Sequence, residues 1–235
     1  MKTIFLLAAA CLGYGLTVSA QTDQPIRVRA GEEIGKAIPV PARYRYAVFT
    51  PGSVSYLSGT VSNGRFNYNL LLGEMQFIDP RGDTLSLANE TLLNHVKVGE
   101  DLFYYDPEHA YLEVIADVNP VKLARKRLLV MAGNEKEAAY GQSTGTSAVR
   151  TLSSYATGNS QLYRFRPKGD VLFNHEVSYF IIDANKRTHR ARRAAFLKVF
   201  GRNKKEVEAY LKAEPVDFGK KEDLEKLLRF CAGLS

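Results

Sequence analysis

Two cysteines, four histidines and no long apolar run mark what this 235-residue chain does without. None of His95, His109, His175 and His189 has a second histidine or a cysteine at the spacing of a metal knuckle or a helical ligand pair, so neither a metal nor another cofactor is indicated. After the N-terminal segment no stretch approaches the roughly 20 apolar residues that span a hydrocarbon layer, which excludes a transmembrane helix in the mature chain. Cysteine is scarce where it would count. Cys11 lies in the N-terminal segment, leaving Cys231 single and no intramolecular disulfide to form. The fold must hold by packing, and Cys231, following Leu227 and Leu228 in a helical pattern, reads as a small buried hydrophobe.

That segment has the build of an export signal. Met1 and Lys2 precede an apolar run from Ile4 to Leu12, and Val18, Ser19 and Ala20 offer small residues before Gln21. The expectation is cleavage after Ala20 and a mature chain of residues 21–235 that works outside the cytoplasm, periplasmic, secreted or peripheral to the outer membrane. A second processing point competes. Ala8, Ala9, Ala10 and Cys11 form an approximate lipid-attachment box, which would make Cys11 the first mature residue and tether the same domain to a membrane; Ala8 stands where an aliphatic residue is usual.

From about residue 25 to 183 the pattern is that of antiparallel β-structure: short runs rich in Val, Tyr, Phe and Leu, divided by turn signals. Asn63-Gly64 is suited to a two-residue hairpin turn between Val54–Val61 and Arg65–Asp79. Phe66, Tyr68, Leu70 and Leu72 share one face, and the parity change to Met75 and Phe77 predicts a bulge near Gly73. Pro80-Arg81-Gly82-Asp83 reads as a turn rather than as an adhesion tripeptide, and Asn89-Glu90-Thr91 is a formal glycosylation sequon. Further strands are expected near 94–98, 102–105, 111–116, 128–131, 161–165 and 177–182. Residues 133–160, rich in Gly, Ser, Thr and Ala, suit a long mobile loop. The tail, residues 184–235, has helical spacing in three segments, marked by Phe196 and Phe200, by Val207, Tyr210 and Leu211, and by Leu224, Leu227 and Leu228; Asn203 and Glu206 are spaced as a capping box. The fold class expected is α+β, a mainly antiparallel β body, barrel-like or a sandwich, with a small C-terminal helical tail packed on it.

The run Asn67-Tyr68-Asn69-Leu70-Leu71-Leu72-Gly73-Glu74-Met75 with Phe77-Ile78, together with the tail from Phe196-Leu197-Lys198-Val199-Phe200 to Cys231, resembles an uncharacterised family of exported proteins of Bacteroidota. The resemblance implies export and a β-rich body. It carries over no catalytic or binding residue.

Three constellations bear on function. Gly141-Gln142-Ser143-Thr144-Gly145 matches a nucleophile elbow, but no apolar strand precedes it and no helical pattern follows. Asp106, Glu108 and His109 gather in a Pro-containing turn, and His175 adjoins Glu176; each meets the composition of an acid/base pair and none of its geometry. The third is charge. Lys186 to Lys205 holds nine cations, including Lys186, Arg187, Arg190, Arg192 and Arg193, and no acidic residue. A field of this kind attracts polyanions. Export turns the expectation from nucleic acid toward lipid head groups, lipopolysaccharide phosphates, acidic glycans or an acidic envelope protein. Glu222, Asp223 and Glu225 are placed to neutralise part of it if the tail folds back. The reading that follows is a non-catalytic binding or interaction module of the cell envelope, using Lys186, Arg187, Arg190, Arg192 and Arg193. The alternatives are a structural subunit of an envelope assembly and a hydrolase working through Ser143 or a histidine–carboxylate site.

Overall fold

β-branched and aromatic residues at alternating positions fit a pleated surface with one side buried, and that pattern is what the chain builds. A computed structural model describes residues 24–134 and 159–234. In chain order come β1 (Ile26–Val28), the short helices α1 (Ile34–Ala37) and α2 (Val40–Arg43), then β2 (Thr50–Tyr56), β3 (Val61–Asn69), β4 (Glu74–Ile78) and β5 (Thr84–Ser86). They are followed by β6 (Leu93–Val98), β7 (Asp101–Asp106), β8 (Ala110–Val118), β9 (Val121–Asn134), α3 (Asn159–Arg164), β10 (Val171–Ile182) and β11 (Thr188–Arg190). Helices α4 (Arg193–Val199), α5 (Lys204–Ala213) and α6 (Lys221–Ala232) close the chain. The class is α+β, with the antiparallel sheet dominant.

The strands form one sheet in the order β1-β10-β9-β8-β7-β6-β2-β3-β4-β5, with β11 also on β10. It curls on itself. The Leu129 amide of β9 donates to the Leu70 carbonyl just beyond β3, 2.8 Å away, although β8, β7, β6 and β2 lie between those strands. Curling gives the sheet an inside. There Val54, Phe66, Tyr68, Met75, Val96, Phe103, Tyr111, Leu129 and Phe173 form one core with Ile34 and Ile38 from the N-terminal helices. Each such side chain contributes roughly 1.5–3 kcal/mol on leaving water.

A second core lies further along the same inner face. Leu123, Ile181 and Val121 pack there against Phe196, Val207, Leu224, Leu227, Leu228 and Cys231 of the helical tail. Ile181 is paired with both Leu123 and His189, so the three side chains share a face. On the outer face Leu112, Ala124, Phe180 and Ile182 form a small third cluster beside Tyr104.

Several local expectations are corrected. Asn63 and Gly64 do not turn; they lie within β3 opposite Ser53 and Gly52, and the hairpin reverses at Leu57–Thr60, where Gly59 takes φ +87°. Gly73, at φ +69°, is the turn between β3 and β4 and not a bulge; its amide donates to the Asn69 carbonyl while the Asn69 side chain accepts from Leu71 and Leu72. Asn67 next to it brackets Tyr46, accepting from its amide at 3.0 Å and donating to its carbonyl at 2.8 Å. The residues that carried the family resemblance therefore do folding work.

The segment expected as a strand at 161–165 is helix α3, whose Tyr163 ring lies over Gly35 of α1. Asn203 precedes α5 but does not cap it, its side-chain amide donating to the Leu234 carbonyl at 2.6 Å. The Asp79–Asp83 turn forms as expected, with Gly82 N bonded to Asp79 O and Asp83 N to the Asp79 carboxylate. Of the loop expected at 133–160, Gly133 and Asn134 end β9 and Asn159 and Ser160 begin α3. The remainder lies outside the described residues, as do the signal at 1–20 and Cys11.

Candidate anion-binding surfaces

The basic segment does not make one patch, because part of it is a strand. In β11 consecutive side chains alternate between faces. Arg190 pairs with Phe180, which puts it on the outer face, and its Nη2 reaches Ser178 Oγ at 3.4 Å. Lys186, in the turn before β11, extends to Asn94 Oδ1 at 3.2 Å. On that face His95 and Tyr104 meet edge to face, and His109 lies tilted against Phe180 with ring centres 4.6 Å apart. Burial, and then the charge of Lys186, hold the His95 imidazole below its ordinary pKa.

Arg187 goes elsewhere. Together with Lys198 and Arg202 it borders a cleft of about 550 Å³ floored by Val118, Pro120, Val121, Val199 and Phe200. Arg192 and Arg193 are exposed where α4 begins. Five of the expected binding residues are thus divided among three places: Lys186 and Arg190 on the outer face, Arg187 in the cleft, Arg192 and Arg193 at the helix start. Among the described residues, none of the nine cations from Lys186 to Lys205 takes part in an ion pair. Two of the three acids placed to neutralise them are engaged nearby instead: Glu225 with Lys221 and Arg229 of its own helix, and the Asp223 carboxylate with the Asp217 amide.

The two histidine candidates, His109 and His175, are not brought together. Ser143 lies outside the described residues. His109 is on the outer face, in the turn where Asp106 accepts from the Glu108 and His109 amides. His175, paired with Leu129 and so turned inward, is on the opposite side of the sheet. The His–carboxylate bond found among the described residues belongs to His189, whose Nε2 is 3.0 Å from Asp183 Oδ2.

Sequence reasoning missed a second concentration of charge. Between the two inner cores, Glu113 of β8 stands opposite Arg125 of β9, and both Arg127 of β9 and Arg45 turn to the same carboxylate. Arg125 forks onto it, Nε to Oε2 at 3.1 Å and Nη2 to Oε1 at 2.8 Å. Arg127 Nη2 reaches Oε2 at 2.9 Å and Arg45 Nη2 reaches Oε1 at 3.2 Å. The Glu113 side chain is 6% exposed and each arginine 23%. The signal was present in Lys122-Leu123-Ala124-Arg125-Lys126-Arg127, where Arg125 and Arg127 have strand spacing and so share a face with Leu123.

The three arginines open onto a cleft of about 750 Å³ between the N-terminal segment and strands β9 and β10, lined also by Ile26, Pro41, Ala42, Leu70, His175 and Val177. Compared with family models, with curated proteins and with solved structures, the chain gives no match, so its chemistry is argued from its own residues.

Proposed function

We propose that the chain is an exported, non-catalytic binding module of the cell envelope that associates with anionic material through the cations of Lys186–Lys205. The observation that carries this reading is the unpaired state of those cations among the described residues. A cation already matched to a carboxylate has little field to offer a partner; one held only by Asn94 or Ser178, as Lys186 and Arg190 are, retains most of it. The aromatic rings beside Lys186 and Arg190 and the apolar floor beside Arg187 give each cation an amphipathic surrounding suited to the border between head groups and acyl chains. The signal-like N-terminus supports export, and no helix among the described residues is long and apolar enough to cross a membrane.

The test is co-sedimentation of the chain beginning at Gln21 with lipopolysaccharide, and with phosphatidylcholine vesicles containing about a third phosphatidylglycerol. Association is expected to fall steeply as salt is raised from about 50 to 500 mM. Replacing Arg190, Arg192 and Arg193 by Ala is expected to weaken it at least about tenfold, since a cation near an anionic surface contributes roughly 1 kcal/mol. Retention unchanged in the triple variant removes the proposal.

A further inference from the structure

The inner face of the sheet carries a charge imbalance that packing does not explain. One carboxylate and one guanidinium, Glu113 and Arg125, already form a complete forked pair across β8 and β9. Arg127 and Arg45 add two more cations to the same carboxylate. Each half-buried cation costs desolvation, and an added one without a counter-charge of its own recovers little of it. Asp101, 3.3 Å from Arg45, supplies a second negative charge and still leaves the group of five net positive.

The excess faces the cleft. Its lining includes Arg45, Arg125, Arg127 and His175 and no aspartate or glutamate. Glu113 is spent on holding the guanidiniums: Arg125 uses Nε and Nη2, while Arg127 and Arg45 each use Nη2. The Nη1 of all three has no protein partner among the described residues. Donors oriented by a buried carboxylate have already lost the rotamer freedom that binding would otherwise cost. A concave site lined by one sign of charge also concentrates the opposite sign.

We propose that this cleft binds a small organic oxyanion, its carboxylate or phosphate head on Arg45, Arg125 and Arg127 and its apolar remainder against Ile26, Pro41, Leu70 and Val177. The cavity of about 750 Å³ is of small-molecule size. Charged N–H donors from three separate guanidiniums suit an oxyanion with two or three acceptor oxygens, and the apolar wall favours an anion with a hydrocarbon part over a bare ion. The site is separate from the Lys186–Lys205 cations and stands or falls apart from them.

The experiment is isothermal titration of the chain beginning at Gln21 with hexanoate, hexyl phosphate and inorganic phosphate. Two variants address the cleft. Val177→Glu places a carboxylate in its wall at a position 44% exposed and directly opposite Arg127 on β9, where it competes with a ligand anion for the guanidiniums. Arg127→Gln removes one donor while Arg125 and Arg45 still hold Glu113. Saturable binding of hexanoate or hexyl phosphate, weakened about tenfold or more in both variants and unchanged in the Arg190, Arg192 and Arg193 triple-Ala variant, upholds the site, and the tighter of the two ligands identifies its head group. Unfolding midpoints of Val177→Glu equal to those of the parent separate loss of binding from loss of fold. Binding that Val177→Glu leaves unchanged, binding of inorganic phosphate alone, or no binding of any of the three up to about 10 mM overturns it.

Discussion

Glu113 and Arg125 face each other across β8 and β9, joined by two hydrogen bonds of 3.1 and 2.8 Å, at the point where the inner face passes from one apolar core to the next. Phe103 lies opposite Glu113 on β7 and Tyr179 opposite Arg125 on β10, so the pair is walled by aromatic rings along its row. Charge there occupies ground that an unbroken core would fill with hydrocarbon.

Glu113→Gln should destabilise the protein by about 3 kcal/mol, because it leaves three neighbouring guanidiniums without their shared counter-charge. Urea denaturation checks this: the midpoint should fall with the slope unchanged. An unfolding free energy within a few tenths of a kcal/mol of the parent's would mean that the cluster is solvated and that its geometry does not restrain the arginines.

Gly52→Ala tests the packing of β2 between β3 and β6. A Cβ at Gly52 would meet the Lys97 carbonyl oxygen at 2.1 Å, a backbone atom that cannot swing aside. The cost should be about 2 kcal/mol or more. Gly59→Ala provides a contrast: nothing lies within 4 Å of the added carbon, and the penalty arises only from φ +87° in the turn.

Acid sensitivity should report on Asp183. Partial burial works to raise its pKa, but the hydrogen bonds from His189 and from the Arg187 and Asn185 amides outweigh this and hold it below the ordinary carboxylate range. A carboxyl depressed on folding adds stability that is present above the unfolded pKa and is lost as pH falls through the folded one. Asp183→Asn is therefore expected to lower the urea midpoint at about pH 6, with the difference from the parent closing below about pH 3.8. A difference that persists undiminished in strong acid would assign the effect to hydrogen-bond geometry rather than charge.

Cys231 is fully buried in the helical tail, and burial pushes its thiol up to about 12. In the chain beginning at Gln21, a thiol reagent at about pH 8 should react at the rate at which the tail opens, and at once in urea. Rapid labelling of the native protein would show that α4 to α6 leave the sheet more readily than their packing on Leu123 and Ile181 suggests.

The sequence by itself determined the class and much of the strand map. Alternating apolar residues placed the cores of β6, β7 and β8, and Asp79–Asp83 announced its turn, because these signals are local: side-chain parity and turn chemistry act within a few residues. The helical spacing of Leu224, Leu227, Leu228 and Cys231 likewise marked the side of α6 that meets the sheet. Tertiary structure decided the rest. Arg125 and Arg127 lie before the strand expected near 128–131, and β9 runs through them with Glu113, brought from β8, accepting from both. Gly64, which reads as a turn, instead pairs with Gly52 inside the sheet, and a Cβ on Gly52 would meet the Lys97 carbonyl of β6. The basic segment, a single block in the sequence, is divided among different surfaces because β11 alternates its side chains and the chain then turns into α4. Charge along a chain sums without regard to direction, whereas a partner meets it only on the face where the fold puts it.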